Sequence, residues 1–97
     1  MAEKGANPGA RKDMIAIHYF ASIREALDRD MEQIEIPQGV ATVGQLLKHL
    51  AEERGEPWAE VLGESSLMIA VNHEMADRKA AISNGDELAF FPPVTGG

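Results

Sequence analysis

Apolar and polar positions alternate from Ile15 onward, with Ile15, Ile17 and Tyr19 interleaved by Ala16, His18 and Phe20. A period of two predicts a strand, and it puts Phe20 on the face opposite the isoleucines. Ala21 to Leu27 follows as a short helical or loop segment, with Ile23 and Leu27 four apart. Alternation returns from Met31 to Ile36, where Ile34 and Ile36 flank Glu35, and Pro37-Gln38-Gly39 closes this second strand, read as antiparallel to the first. The period then lengthens. Thr42 is a good N-cap, Gln45 completes a capping box, and Val43, Leu46, Leu47 and Leu50 fall on one face of a helix. Lys48, Glu52, Glu53 and Arg54 supply its solvated side, and Gly55 is a natural stop. Pro57 and Trp58 open a shorter helical turn ending near Gly63. With Val61 and Leu62 beside it, Trp58 reads as a core anchor rather than a ligand-stacking ring.

Leu67 to Asn72 is apolar enough for a buried strand, Asn72-His73-Glu74 turns it, and Met75-Ala76 begins a brief return strand. Asn84-Gly85-Asp86 is a strong turn signal because Asn and Gly tolerate positive φ. Glu87 to Phe91 is the last strand, and Pro92-Pro93 ends it, since proline cannot donate to a ladder. The order strand, strand, helix, strand, short strand, strand predicts an α+β fold of two layers, a mixed sheet with one main helix across a face.

Ninety-seven residues make a single small domain, which buries roughly 60–65% of its unfolded surface and has little room for an enclosed pocket. A module that works with a partner fits that size better than a self-contained enzyme. Sixteen acidic against nine basic residues leave a net charge of −7, and the part from Met14 onward carries −8. Nucleic acid is a poor partner for such a surface, whereas a basic protein surface suits it; an acidic surface also simply keeps a domain in solution. The absence of cysteine removes disulfides, thiolate metal sites and cysteine nucleophiles. His18, His49 and His73 lack metal-ligand spacing and read as surface or packing histidines, so no metal is expected. No apolar run approaches a membrane span and no signal-peptide pattern opens the chain, which makes a cytoplasmic location the default expectation. Residues 1–13, rich in small and polar residues with Gly5, Pro8 and Gly9, read as a flexible extension ahead of a domain at 14–97.

The tail FFPPVTGG carries the chemistry. Gly96 and Gly97 have no Cβ, so the backbone there can enter a channel that any side chain would block. Pro92 and Pro93 hold the preceding segment extended, projecting Val94, Thr95 and the glycines from the body. The reactive group is then the α-carboxylate of Gly97. Ionised, it is a poor electrophile; esterified to AMP, it is open to attack by sulfur or an amine. A glycine pair alone is also the composition of an ordinary chain end.

Context separates the two. GDELAFFPPVTGG, Gly85 to Gly97, resembles the C-terminal signature of the small subunits of molybdopterin synthase. IAIHYFASIREAL from Ile15 resembles that family's first strand and turn, and IAVNHEM from Ile69 its central strand. The likeness runs from Met14 to Gly97 and implies a β-grasp, ubiquitin-like fold. It also implies that an E1-like enzyme adenylates Gly97 and that a sulfurtransferase system converts the glycyl adenylate to a 1-thioglycine. The tail would then donate sulfur to cyclic pyranopterin monophosphate inside the large synthase subunit, in a heterotetramer where the larger partner supplies the acid-base groups. No bound cofactor is implied. Position by position, Gly97 bears the transferable group, Gly96 gives slim access, and Phe20, Met75 and Phe91 match apolar partner-interface positions. Neighbours on a strand face opposite ways, so Phe90 and Phe91 cannot both lie under the helix; Phe91 is assigned to the partner and Phe90 to the core.

Three rival readings share some of these features. A sulfur carrier for another pathway, such as thiamin biosynthesis, also ends in two glycines, but FFPPVTGG, Tyr19-Phe20-Ala21 and Arg24-Glu25 favour the molybdopterin branch. A protein modifier would join Gly97 to lysines of targets. A plain interaction module would tolerate loss of Gly97.

Overall fold

The computed structural model describes residues 12–93. Eight elements follow one another: β1 (Ile15–Tyr19), α1 (Ala21–Leu27), β2 (Met31–Ile34), α2 (Val43–Arg54), α3 (Trp58–Gly63), β3 (Met68–Val71), β4 (Glu74–Ala76) and β5 (Glu87–Phe91). The strands form one mixed sheet in the order β2-β1-β5-β3-β4. β1 runs parallel to the central β5, and every other neighbouring pair is antiparallel. This is the two-layer α+β arrangement that the element order predicts.

The helices lie on one face because only there do the periods of strand and helix meet. Ile15, Ile17, Tyr19, Ile69, Leu88 and Phe90 point inward from the strands and pack with Val43, Leu46, Leu47 and Leu50 of α2. Trp58 and Leu62 of α3 close the core at one end, as the apolar neighbours of Trp58 predict. α2 begins where it should: the Thr42 hydroxyl accepts from the Gln45 amide, and the Gln45 side chain accepts from the Thr42 amide, completing the capping box. It ends at Gly55, whose φ of 69° favours glycine.

Three details differ from the sequence reading. β2 stops at Ile34 rather than Ile36, because Ile34 already pairs with Ile15, the first residue of β1, and the sheet offers nothing beyond. Ile36 still packs against the core. The β3–β4 turn uses two residues, Asn72 and His73, both at positive φ (52° and 71°), so Glu74 is already in β4. Arg54 is not on the solvated side of α2. Its guanidinium lies 4.4 Å from the Trp58 ring centre and grips the Glu32 carboxylate through bonds of 2.8 and 2.9 Å.

Of the expected extension at 1–13, only Lys12 and Asp13 lie within the described residues; Val94, Thr95, Gly96 and Gly97 lie outside them. Among the described residues no helix is long and apolar enough to cross a membrane.

Candidate functional site

Alternation leaves the sheet face away from the helices with its own set of side chains. Register aligns them in rows. One row crosses all five strands as Met31, His18, Ala89, Ala70 and Met75. The next holds Phe20, Phe91 and Met68: Met68 pairs with Phe91, while the Phe20 amide donates to the Phe90 carbonyl at 3.1 Å and so prolongs the β1–β5 ladder by one residue.

Phe20 therefore comes off the end of β1 in extended backbone (φ −120°, ψ 153°), at the N-cap of α1. It is 46% exposed, a large apolar ring facing water. Phe91 meets it edge-on with ring centres 6.3 Å apart, and His18 stacks on it at 6.2 Å. Phe90, one residue from Phe91, is completely buried. Met75 is 59% exposed on β4. It shares the face with the two phenylalanines but sits across Ala70 and Ala89 from them. Those two alanines sink the sheet surface into a depression of about 300 Å³, rimmed by Phe20, His18, His73 and Glu87. Exposed apolar side chains grouped on one face of a small domain are the feature that marks binding surfaces in general.

Pro92 and Pro93 follow directly from β5 and line a groove of about 350 Å³ with Ser22, Ile23 and Ala26 of α1 and Val61 of α3. The root of the tail thus leaves the centre of the sheet alongside α1, next to the aromatic pair. Residues 94–97, which hold the expected chemistry, lie outside the described residues.

Two clusters had no signal in the sequence. Glu87 receives two imidazoles on the outer face, His18 Nε2 at 3.1 Å from Oε2 and His73 Nε2 at 2.7 Å from Oε1. The second cluster sits on the inner side. The Tyr19 hydroxyl donates to Glu32 at 2.7 Å, and Arg29 and Arg54 complete the carboxylate's shell. Burial, then the bond to Glu32, pushes the Tyr19 hydroxyl well above its usual range. Burial alone would also raise the Glu32 carboxyl. Bonds from Arg54 and Tyr19 and the charges of Arg54 and Arg29 together outweigh it and hold Glu32 below the ordinary carboxylate range. No group of three or more His, Cys, Asp or Glu among the described residues could hold a metal ion.

A five-stranded mixed sheet with its main helix on one face and the opposite face open, the central strand leading out as the tail, defines a ubiquitin-like β-grasp domain. The sequence pattern of the ThiS family matches residues 17–97. A molybdopterin synthase sulfur carrier subunit of Haemophilus influenzae is 40% identical over 84 residues, covering 87% of this chain and 100% of that protein. Among solved structures, the small archaeal modifier protein 1 of Haloferax volcanii superposes with a TM-score of 0.65 at 32% identity, over 84% of this chain and 97% of that one. A chain in the complex of subunits 1 and 2 of molybdopterin-converting factor from Helicobacter pylori superposes with a TM-score of 0.58 at 26% identity. That match covers 87% of this chain and 99% of that one. The chain belongs to the ThiS family.

Proposed function

We propose that the chain is the sulfur carrier subunit of a molybdopterin synthase, acting as a cosubstrate rather than as a catalyst. The observation that carries this reading is the pair formed by exposed Phe20 and half-buried Phe91 at the point where the central strand runs out into PPVTGG. A partner that covers the pair receives the tail at the same time. The names of the Haemophilus relative and of the Helicobacter complex support the assignment.

In this proposal an E1-like enzyme joins the Gly97 carboxylate to AMP, with pyrophosphate leaving. Sulfur from a sulfurtransferase system, delivered as sulfide or as a persulfide whose S–S bond a thiol then reduces, attacks the acyl carbon, expels AMP and leaves a 1-thioglycine. The tail, with Val94, Thr95 and Gly96 as its slender shaft, then enters the large subunit and gives sulfur to cyclic pyranopterin monophosphate. Phe20, Met75 and Phe91, with Pro92 and Pro93 at the root, form the contact with that subunit in a heterotetramer. All of this chemistry belongs to the cytoplasm. Incubation with ATP, an E1-like enzyme and a sulfur source should add one O-to-S exchange to the intact mass. Adding the large subunit and the pterin should then return the chain to its starting mass with formation of the dithiolene. A chain that is never loaded defeats the proposal.

The likeness to a small archaeal modifier favours protein modification as the second reading. Conjugates between Gly97 and target lysines in cell extracts would select it, and a free thiocarboxylated chain would select the carrier. Loading that supports thiamin rather than molybdopterin synthesis would move the chain to the other carrier branch.

A further inference from the structure

Glu87 stands on the outer face of β5, separated from Phe91 by Ala89, and lines the same depression as Phe20; its side chain is only 16% exposed, while that of His73 is 84% exposed. Its backbone is fixed: the Glu87 amide donates to Asn72 Oδ1 at 2.9 Å, and its carbonyl accepts from the Asn72 amide at 2.7 Å. Asp86, next along the chain, is committed elsewhere, accepting from Asn72 Nδ2 and from the Ser83 amide. The titratable groups set against the Glu87 carboxylate among the described residues are therefore His18 from β1 and His73 from the β3–β4 turn. Neither is a permanent cation, because an imidazole carries charge only while protonated.

That arrangement suits a free protein and not a covered one. A partner that covers Phe20, Phe91 and the depression running from Phe20 to Glu87 would strip the remaining water from Glu87, and a carboxylate buried without a cation is heavily penalised. The depression beside it shows what would relieve the penalty. Its floor is Ala70 and Ala89, and a carboxylate stands at its rim. An apolar floor ending at a carboxylate fits the aliphatic stem and charged head of a lysine or arginine. Overall charge points the same way, since a chain of net −7 attracts a basic surface.

We propose that Glu87 is the anchor for a basic side chain of the docked large subunit, which lies across Ala70 and Ala89 and takes the place of His73 on the carboxylate. This rests on the docking role assigned to the Phe20–Phe91 face. His73 gives way because it is exposed on a two-residue turn, whereas His18 stays, stacked on Phe20.

Calorimetry of the full chain with the large subunit tests it, using wild type, Glu87→Gln and Phe91→Arg. Glu87→Gln keeps the shape and the backbone bonds, so it should fold as wild type by circular dichroism. It should bind at least tenfold more weakly, with a shallower dependence on salt. Wild-type docking at neutral pH should take up no proton when measured in buffers of different ionisation enthalpy. Undiminished affinity of Glu87→Gln would overturn the anchor, as would proton uptake on docking, which would make the imidazoles the counter-charge. If Phe91→Arg weakens binding while Glu87→Gln does not, the anchor alone falls. If wild type fails to bind the large subunit at all, the docking face falls and the anchor with it.

Discussion

Phe90 and Phe91 are chain neighbours with opposite fates, one completely buried and the other on the outer face against Phe20. The pleat decides this, not the residue type. Placing a charge at each should therefore have different effects. Phe91→Arg leaves the core intact and should weaken association with the large subunit by about 2 kcal/mol, roughly thirtyfold, the scale of an interface hot spot. Calorimetry reads it, and unchanged affinity would show that the partner uses another face. This division was legible in the sequence, because alternation along one strand is a local signal. The grouping of His18, Glu87 and His73 was not. His18 and Glu87 lie 69 residues apart and meet only because β1 and β5 pair in parallel, in a register that no local spacing encodes. Histidines lacking metal-ligand spacing read as surface or packing residues, and spacing along the chain carries no trace of the carboxylate that two of them share.

At the scale of elements, edge strand β2 is tied to the end of α2 through one inward-facing carboxylate. Glu32 side-chain exposure is 8%, and Arg54, Arg29 and Tyr19 all reach it. An inward-pointing charge also makes a poor template for a foreign strand, which protects the edge. Arg54→Ala leaves that carboxylate without its two-pronged partner and uncovers Trp58. The expected cost is about 2–4 kcal/mol in denaturant unfolding, near the lower end for broken buried pairs. Replacing Glu32 and Arg54 together by leucine should cost less than Arg54→Ala alone.

Acid sensitivity follows from the same cluster. Glu32 titrates below its ordinary value of about 4.3 in the fold, so on acidification the unfolded chain takes up its proton first. Its stabilising contribution is complete above that ordinary value and disappears as pH falls through the lowered one. Denaturant midpoints should hold steady from neutral pH to about pH 5 and then decline, and Glu32→Gln should flatten the decline. The caps of α2 were readable because Thr42, Gln45 and Gly55 act within one turn of their own helix. The placing of Arg54 is hidden for the complementary reason: the helical wheel shows which side faces the core, not that a long side chain at its margin can reach across to a strand 22 residues earlier.

For the whole molecule, the fold divides the sheet between a face packed under the helices and an opposite face that bears exposed Phe20 and Met75, the face proposed for the large subunit. The tail depends on neither face for its slenderness. Gly96→Phe should therefore leave the thermal midpoint unchanged while abolishing loading at Gly97 and sulfur donation. Intact-mass measurement with the loading enzymes checks this, and normal loading of the variant would show that the channel tolerates a side chain.

β5 lies in the middle of the sheet, bonded to β1 on one side and β3 on the other, and it runs straight into Pro92 and the tail. Tension applied along that strand, with the rest of the domain braced against whatever grips its end, loads both ladders at once in shear. A terminal segment leaving an edge strand would instead peel away bond by bond. The domain is thus built to be tugged along its central strand without unravelling.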